Sequence, residues 1–85
     1  MTLKDLRSQV DAVDRIMLYV LKRRMEFARE ISELKKLEGQ EIIDSVREKE
    51  VLEKVTKKAK SLHLPVKEVQ EIWKRILKLS HLVQQ

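Results

Sequence analysis

The chain has no cysteine, one glycine and one proline in 85 residues. Without cysteine there is no disulfide framework and no thiolate metal site. The two histidines, His63 and His81, are too few and too far apart to suggest a metal centre. So few helix breakers, with few β-branched runs, point to an all-α chain. No apolar run approaches the roughly 20 residues that span a bilayer, so no membrane partner is expected. Met1-Thr2-Leu3-Lys4-Asp5 lacks the apolar core of a signal peptide, and a cytoplasmic location follows as the expectation. A Ser–His–Asp arrangement and a glycine-rich phosphate loop are also missing. No metal-ligand cluster is visible either, so any reaction on this chain should rest on its ordinary side chains. It should work by holding a reactive conformer and stabilising developing charge rather than by covalent catalysis.

Charge is plentiful. Nineteen basic residues face fourteen acidic ones, a formal net charge of +5 that favours an anionic partner. The two signs are interspersed, so most of these side chains read as a solvated surface. The length suits a single domain over residues 1–85.

The chain is organised around Thr2 to about Leu37. Its apolar residues fall at Leu3, Leu6, Val10, Val13, Met17 and Val20, then Phe27, Ile31 and Leu34. Steps of three and four mark a helix that packs along its length. Thr2 with Asp5 forms a capping-box pattern, and Gly39 suits the left-handed residue that ends a helix. Asp11 with Arg15, and Arg29 with Glu33, have the spacing of surface ion pairs.

Such a helix is a rod of about 50 Å, whereas a compact chain of this length has a radius of gyration of only about 12 Å. The remaining residues cannot enclose it, and its bare seam would be a large apolar patch. A second copy is the expected cover. The expected fold is therefore an intertwined helical homodimer, each chain bearing one long N-terminal helix and two shorter ones.

Glu38 to Ile43 reads as a loop. The second helix starts at Asp44-Ser45-Val46-Arg47-Glu48, where Ser45 and Glu48 fit a capping box and Asp44 is the alternative cap. Its inner face should hold Val51, Leu52, Val55, Ala59 and Leu62. After the turn at His63-Leu64, Pro65 suits the first turn of a third helix. That helix should bury Val69, Ile72, Trp73, Ile76 and Leu77, with Ser80, Val83 and Gln84 continuing the face.

Polar groups interrupt all three faces. Arg24 stands where the first helix asks for an aliphatic residue, and Arg7 and Lys35 lie beside the same seam. Arg47 and Glu48 open the inner face of the second helix, and Ser80 and Gln84 close that of the third. Taken singly, each could be a snorkelling side chain or a register device. If Arg7, Arg24, Lys35 and Arg47 converge, Asp44 and Glu48 leave about two positive charges unmatched, a surplus suited to a small dianion. The planar guanidinium engages carboxylates bidentately, and Ser80 and Gln84 add neutral donors.

Leu6-Arg7 with Val10, Val13 and Asp14, Leu21-Lys22-Arg23-Arg24 through Ile31 and Lys35, Asp44 through Glu48, and Ser80 with Gln84 form an ordered set. With that set at this spacing, the chain resembles the all-helical chorismate mutases of the intertwined-dimer type, over essentially its whole length. The resemblance implies rearrangement of chorismate, a dicarboxylate, to prephenate without a cofactor, in aromatic amino acid biosynthesis. It implies that Arg24 and the partner subunit's Arg7 hold the two carboxylates, with Ser80 at the carboxylate end. Lys35 and Gln84 would hydrogen-bond the ether oxygen, Glu48 would bind the ring hydroxyl, and Asp44 and Arg47 would position their neighbours. Lys35, Gln84, Glu48 and Arg24 would be the catalytic members. The chain departs from many relatives in lacking a proline in Gln40-Glu41-Ile42-Ile43 and in carrying Pro65 where an Asp often begins the third helix.

Two features follow when residue chemistry is added to the roles that the resemblance implies. Arg7 and Lys35 lie about 42 Å apart on one helix, so one small ligand can use both only if Arg7 comes from another chain. An amide at Gln84 donates at any ordinary pH, so activity should persist on the alkaline side until Lys35 loses its proton.

One alternative is an isochorismate pyruvate lyase on the same scaffold, which would use a similar cationic pocket. Another is a non-catalytic helical dimer binding nucleic acid, which would need a basic stripe on an exposed face. Here the telling cations interrupt apolar faces instead, and no nucleic-acid partner is expected.

Overall fold

The computed structural model describes residues 1–85 as three helices without strands: α1 (Leu3–Leu37), α2 (Ser45–Ser61) and α3 (Val66–Gln84). No helix is long and apolar enough to cross a membrane.

Local chemistry explains each boundary. At the start of α1 the capping box is complete: the Asp5 amide donates to Thr2 Oγ1 at 3.1 Å, and the Thr2 amide donates to Asp5 Oδ2 at 3.0 Å. At its end, Gly39 has φ 70°, and the Gly39 and Gln40 amides donate back to the carbonyls of Lys36 and Lys35. This crossed pair caps two carbonyls that the last turn would leave bare. The end of α2 repeats the device with His63 at φ 57°, its amide and that of Leu64 donating to Lys60 and Ala59.

Of the two caps offered for α2, the structure uses Asp44, whose Oδ1 accepts from the Arg47 amide at 3.0 Å. Ser45 is already the first helical residue. A carboxylate at this position also faces the positive end of the helix dipole. Pro65 precedes α3 as its N-cap, one position earlier than the first-turn placement, and supplies no side-chain cap.

α3 is the middle element, packing against both α1 and α2, which do not pack on each other. Met25 and Ala28 of α1, Ala59 of α2 and Leu77 of α3 are the buried apolar residues. Gln70 of α3 donates to Thr56 of α2 at 2.9 Å, which pins that pair polarly. On the expected faces of α2 and α3, Leu62 and Ile72 are instead exposed, at 56% and 55%. The anticipated pairs Asp11–Arg15 and Arg29–Glu33 do not form; the exposed ion pairs within helices are Arg23–Glu26, Arg47–Glu50 and Lys74–Glu71.

The molecule is elongated, 55 × 24 × 16 Å with a radius of gyration of 16.0 Å, well beyond the compact value. α3 covers only the C-terminal half of α1. Leu6, Val10, Val13, Met17 and Val20 on the other half stay exposed.

Candidate functional site

Because α1 and α2 do not touch, α3 holds open a gap between them. A concavity of about 250 Å³ lies there. α1 contributes Arg24, Phe27, Ala28, Ile31 and Lys35 to its wall; the loop and α2 contribute Ile42, Asp44, Arg47, Glu48 and Val51; α3 contributes Leu77, Ser80, His81 and Gln84. The helical period produces this grouping, since Arg24, Ala28, Ile31 and Lys35 recur every three or four residues down one face of α1. Arg47, Glu48 and Val51 do the same on α2, and Leu77, Ser80, His81 and Gln84 on α3.

Arg24 projects from mid-α1 across to α3, where its Nη1 donates to Ser80 Oγ at 2.8 Å. The hydroxyl passes its own proton to the Ile76 carbonyl at 3.1 Å, so the serine oxygen is oriented as an acceptor toward Arg24. Arg24 has no carboxylate partner. Burial first, and the positive charge of Arg47 second, push its guanidinium below the ordinary value. It remains a cation, because guanidinium keeps its proton in proteins. A half-buried cation beside another cation, held only by a neutral hydroxyl, is a ready receiver for an anionic oxygen.

Lys35 is the most enclosed cation among the ion-paired groups, with its side chain 17% exposed. Its Nζ donates to the Ile42 carbonyl at 3.1 Å and lies 3.9 Å from Asp44 Oδ2. An ammonium has three donors, so at least one remains for the cavity. Gln84 is similar. Its Nε2 donates to the Ala28 carbonyl at 3.0 Å, which fixes the amide and leaves its second N–H free. Backbone carbonyls thus aim both donors from behind. Asp44 holds the Arg47 amide through Oδ1 and approaches Lys35 through Oδ2. Arg47 itself leans outward to Glu50 at 3.4 Å, a partner the sequence reading did not include.

Seven of the eight residues singled out from sequence therefore line one cavity: Arg24, Lys35, Asp44, Arg47, Glu48, Ser80 and Gln84. Arg7 does not join them. It is exposed near the start of α1, about 25 Å up the helix from Arg24. Within one chain the surplus is accordingly smaller than the four-cation count: Arg24, Lys35 and Arg47 against Asp44 and Glu48 leave one positive charge.

One polar member escaped the sequence reading. His81 Nε2 sits 2.5 Å from Glu48 Oε2, with the side chains 28% and 29% exposed. The signal for it was spacing: position 81 follows Leu77 by one helical turn and precedes Gln84 by three residues.

Residues 6–85 match the family described as chorismate mutase type II. Over 76 residues the chain is 32% identical to the T-protein of Enterobacter agglomerans, an alignment that covers 89% of this chain and 20% of that protein. The chain thus spans about a fifth of the length of the curated relative it matches.

Proposed function

Because the chain belongs to the chorismate mutase type II family, we propose that it is an isomerase that rearranges chorismate to prephenate in aromatic amino acid biosynthesis. In this intramolecular Claisen reaction the ether C–O bond breaks as a new C–C bond forms, and no atom is lost or gained. The observation that carries the reading is the unpaired Arg24 beside Arg47 in a cavity that also presents the spare donors of Lys35 and Gln84.

Charge grows on the ether oxygen as the C–O bond lengthens. Donors aimed at that oxygen gain more in the transition state than in the ground state, and only such a difference raises the rate. Lys35 and Gln84 take this role. Arg24 binds one carboxylate, with Ser80 setting the guanidinium plane. Glu48 accepts from the ring hydroxyl, and Asp44 and Arg47 hold Lys35 and the mouth of the site. Clamping both carboxylates also favours the folded conformer in which the reacting carbons meet.

The second carboxylate needs another cation. We assign it to Arg7 of a second copy, in a homodimer whose long helices pair through Leu6, Val10, Val13, Met17 and Val20. The exposure of this apolar row in the single chain supports that arrangement. A single domain over residues 1–85, acting in the cytoplasm without cofactor, completes the reading. Incubating the purified chain with chorismate and, separately, isochorismate tests it. Prephenate from the first is expected; pyruvate release from the second, with no prephenate, would replace the mutase with a lyase.

A further inference from the structure

We propose that His81, held in place by Glu48, is a positioning residue of this cavity whose charge makes the affinity for a dianionic substrate depend on pH. The inference rests on the mutase reading for its substrate, and on the geometry of the Glu48–His81 pair for its mechanism.

Glu48 makes no ion pair with Arg24, Lys35 or Arg47; the imidazole of His81 is its one charged partner. Nε2 points at Oε2 across the gap between α2 and α3. A neutral ring held this way donates Nε2–H to one carboxylate oxygen and leaves the other for a substrate hydroxyl. A protonated ring keeps the same bond and adds a positive charge to the wall. The charged groups that share the cavity are Arg24 and Lys35 from α1, and Asp44, Arg47 and Glu48 from the α2 side. Their sum within one chain is one positive charge; Arg7 of the partner subunit, as proposed above, raises it to two, and protonated His81 to three. A dianion is therefore attracted more strongly when the imidazole is charged than when it is neutral.

The sign follows directly. As pH rises and His81 loses its proton, the attraction for both carboxylates weakens and KM rises. The donors to the ether oxygen, Lys35 and Gln84, are unaltered, so kcat changes much less.

The test measures kcat and KM for chorismate against pH in the native chain and in His81→Gln, whose amide still donates to Glu48 but never carries charge. The native KM should rise roughly tenfold across the range in which the imidazole loses its proton, the scale of one screened unit charge nearby. In His81→Gln the KM should be high and flat over that range. Superimposable KM profiles would overturn the proposal.

Ring-nitrogen NMR tests the pair without turnover. At a pH where the imidazole is neutral, His81 should be a single Nε2–H tautomer in the native chain and a mixture in Glu48→Ala. The same mixture in both would also overturn it. If the native chain leaves chorismate untouched while the tautomer is fixed, the mutase reading fails and the pairing stands.

Discussion

Arg24 reaches from the middle of α1 to the last turns of α3 and donates to Ser80 Oγ at 2.8 Å, without a carboxylate partner. The serine oxygen is turned toward it because its proton goes to the Ile76 carbonyl. One hydrogen bond therefore ties two helices together and sets the plane of a guanidinium that has no carboxylate partner.

Arg24→Ala should lower kcat/KM for chorismate by about 10³ or more, since it removes a charged donor from the carboxylate and leaves the site short of a cation. Arg24→Lys keeps the charge but loses the planar fork, and should recover only part of that loss. Ser80→Ala leaves the guanidinium present but loosely aimed, and about tenfold is the expected cost. Steady-state kinetics on the three variants order these effects. Equal losses for Ser80→Ala and Arg24→Ala would contradict the assigned roles.

Gln84 is held by the Ala28 carbonyl with one N–H to spare. As a neutral amide it donates at any ordinary pH, so native kcat should stay nearly level through neutrality. Gln84→Glu should lose about 10² in kcat once its carboxyl ionises, because an anion would then face the ether oxygen. Activity should return on acidification, when the carboxyl regains a proton to donate. A pH-independent kcat in Gln84→Glu would remove this residue from the reaction.

Much of this was legible beforehand, for identifiable reasons. Helix ends are written in short-range chemistry, so Thr2 with Asp5 and Gly39 marked α1 within a residue. Cavity residues stood out where a charge broke an apolar period, as Arg24 did. Backbone partners have no such signature, and nothing in the residue types announces that Ile42 or Ala28 offers a carbonyl to Lys35 or Gln84. His81 was read only as a metal ligand short of companions, although its spacing from Leu77 and Gln84 put it on the cavity wall. Both Asp44 and Ser45 could cap α2, and only the backbone trace decides between neighbours of equal aptitude.

The capping box makes α1 sensitive to acid. Hydrogen bonds from the Thr2 backbone, and secondarily from its side chain, hold the Asp5 carboxyl below the usual carboxylate range. A carboxyl depressed in the folded state stabilises fully above its unfolded value, and the contribution disappears as pH falls through the depressed one. Helical circular dichroism on thermal unfolding should therefore show Asp5→Asn less stable than the native chain near neutrality. The difference should shrink at pH below the ordinary carboxylate value. A gap that widens in acid would contradict the sign.

His63 occupies left-handed backbone at φ 57°, a conformation that costs a side-chain-bearing residue about 1 kcal/mol. His63→Gly relieves this at the end of α2, away from the cavity. It should stabilise the fold by up to about 1 kcal/mol, net of the extra freedom glycine gives the unfolded chain. Urea denaturation checks the sign, and a clear loss of stability would show that the imidazole is needed there.

The central claim is that each site draws Arg24 from one chain and Arg7 from another, and subunit mixing tests it most directly. Arg7→Ala and Arg24→Ala should each be nearly inactive alone. In a hybrid dimer, one site carries both defects and the other carries neither. Co-refolding the two variants in equal amounts should therefore restore about one quarter of native turnover, since half the dimers are hybrids with one intact site of two. A mixture as inactive as its components would contradict it, since Arg7 would then act on the site of its own chain.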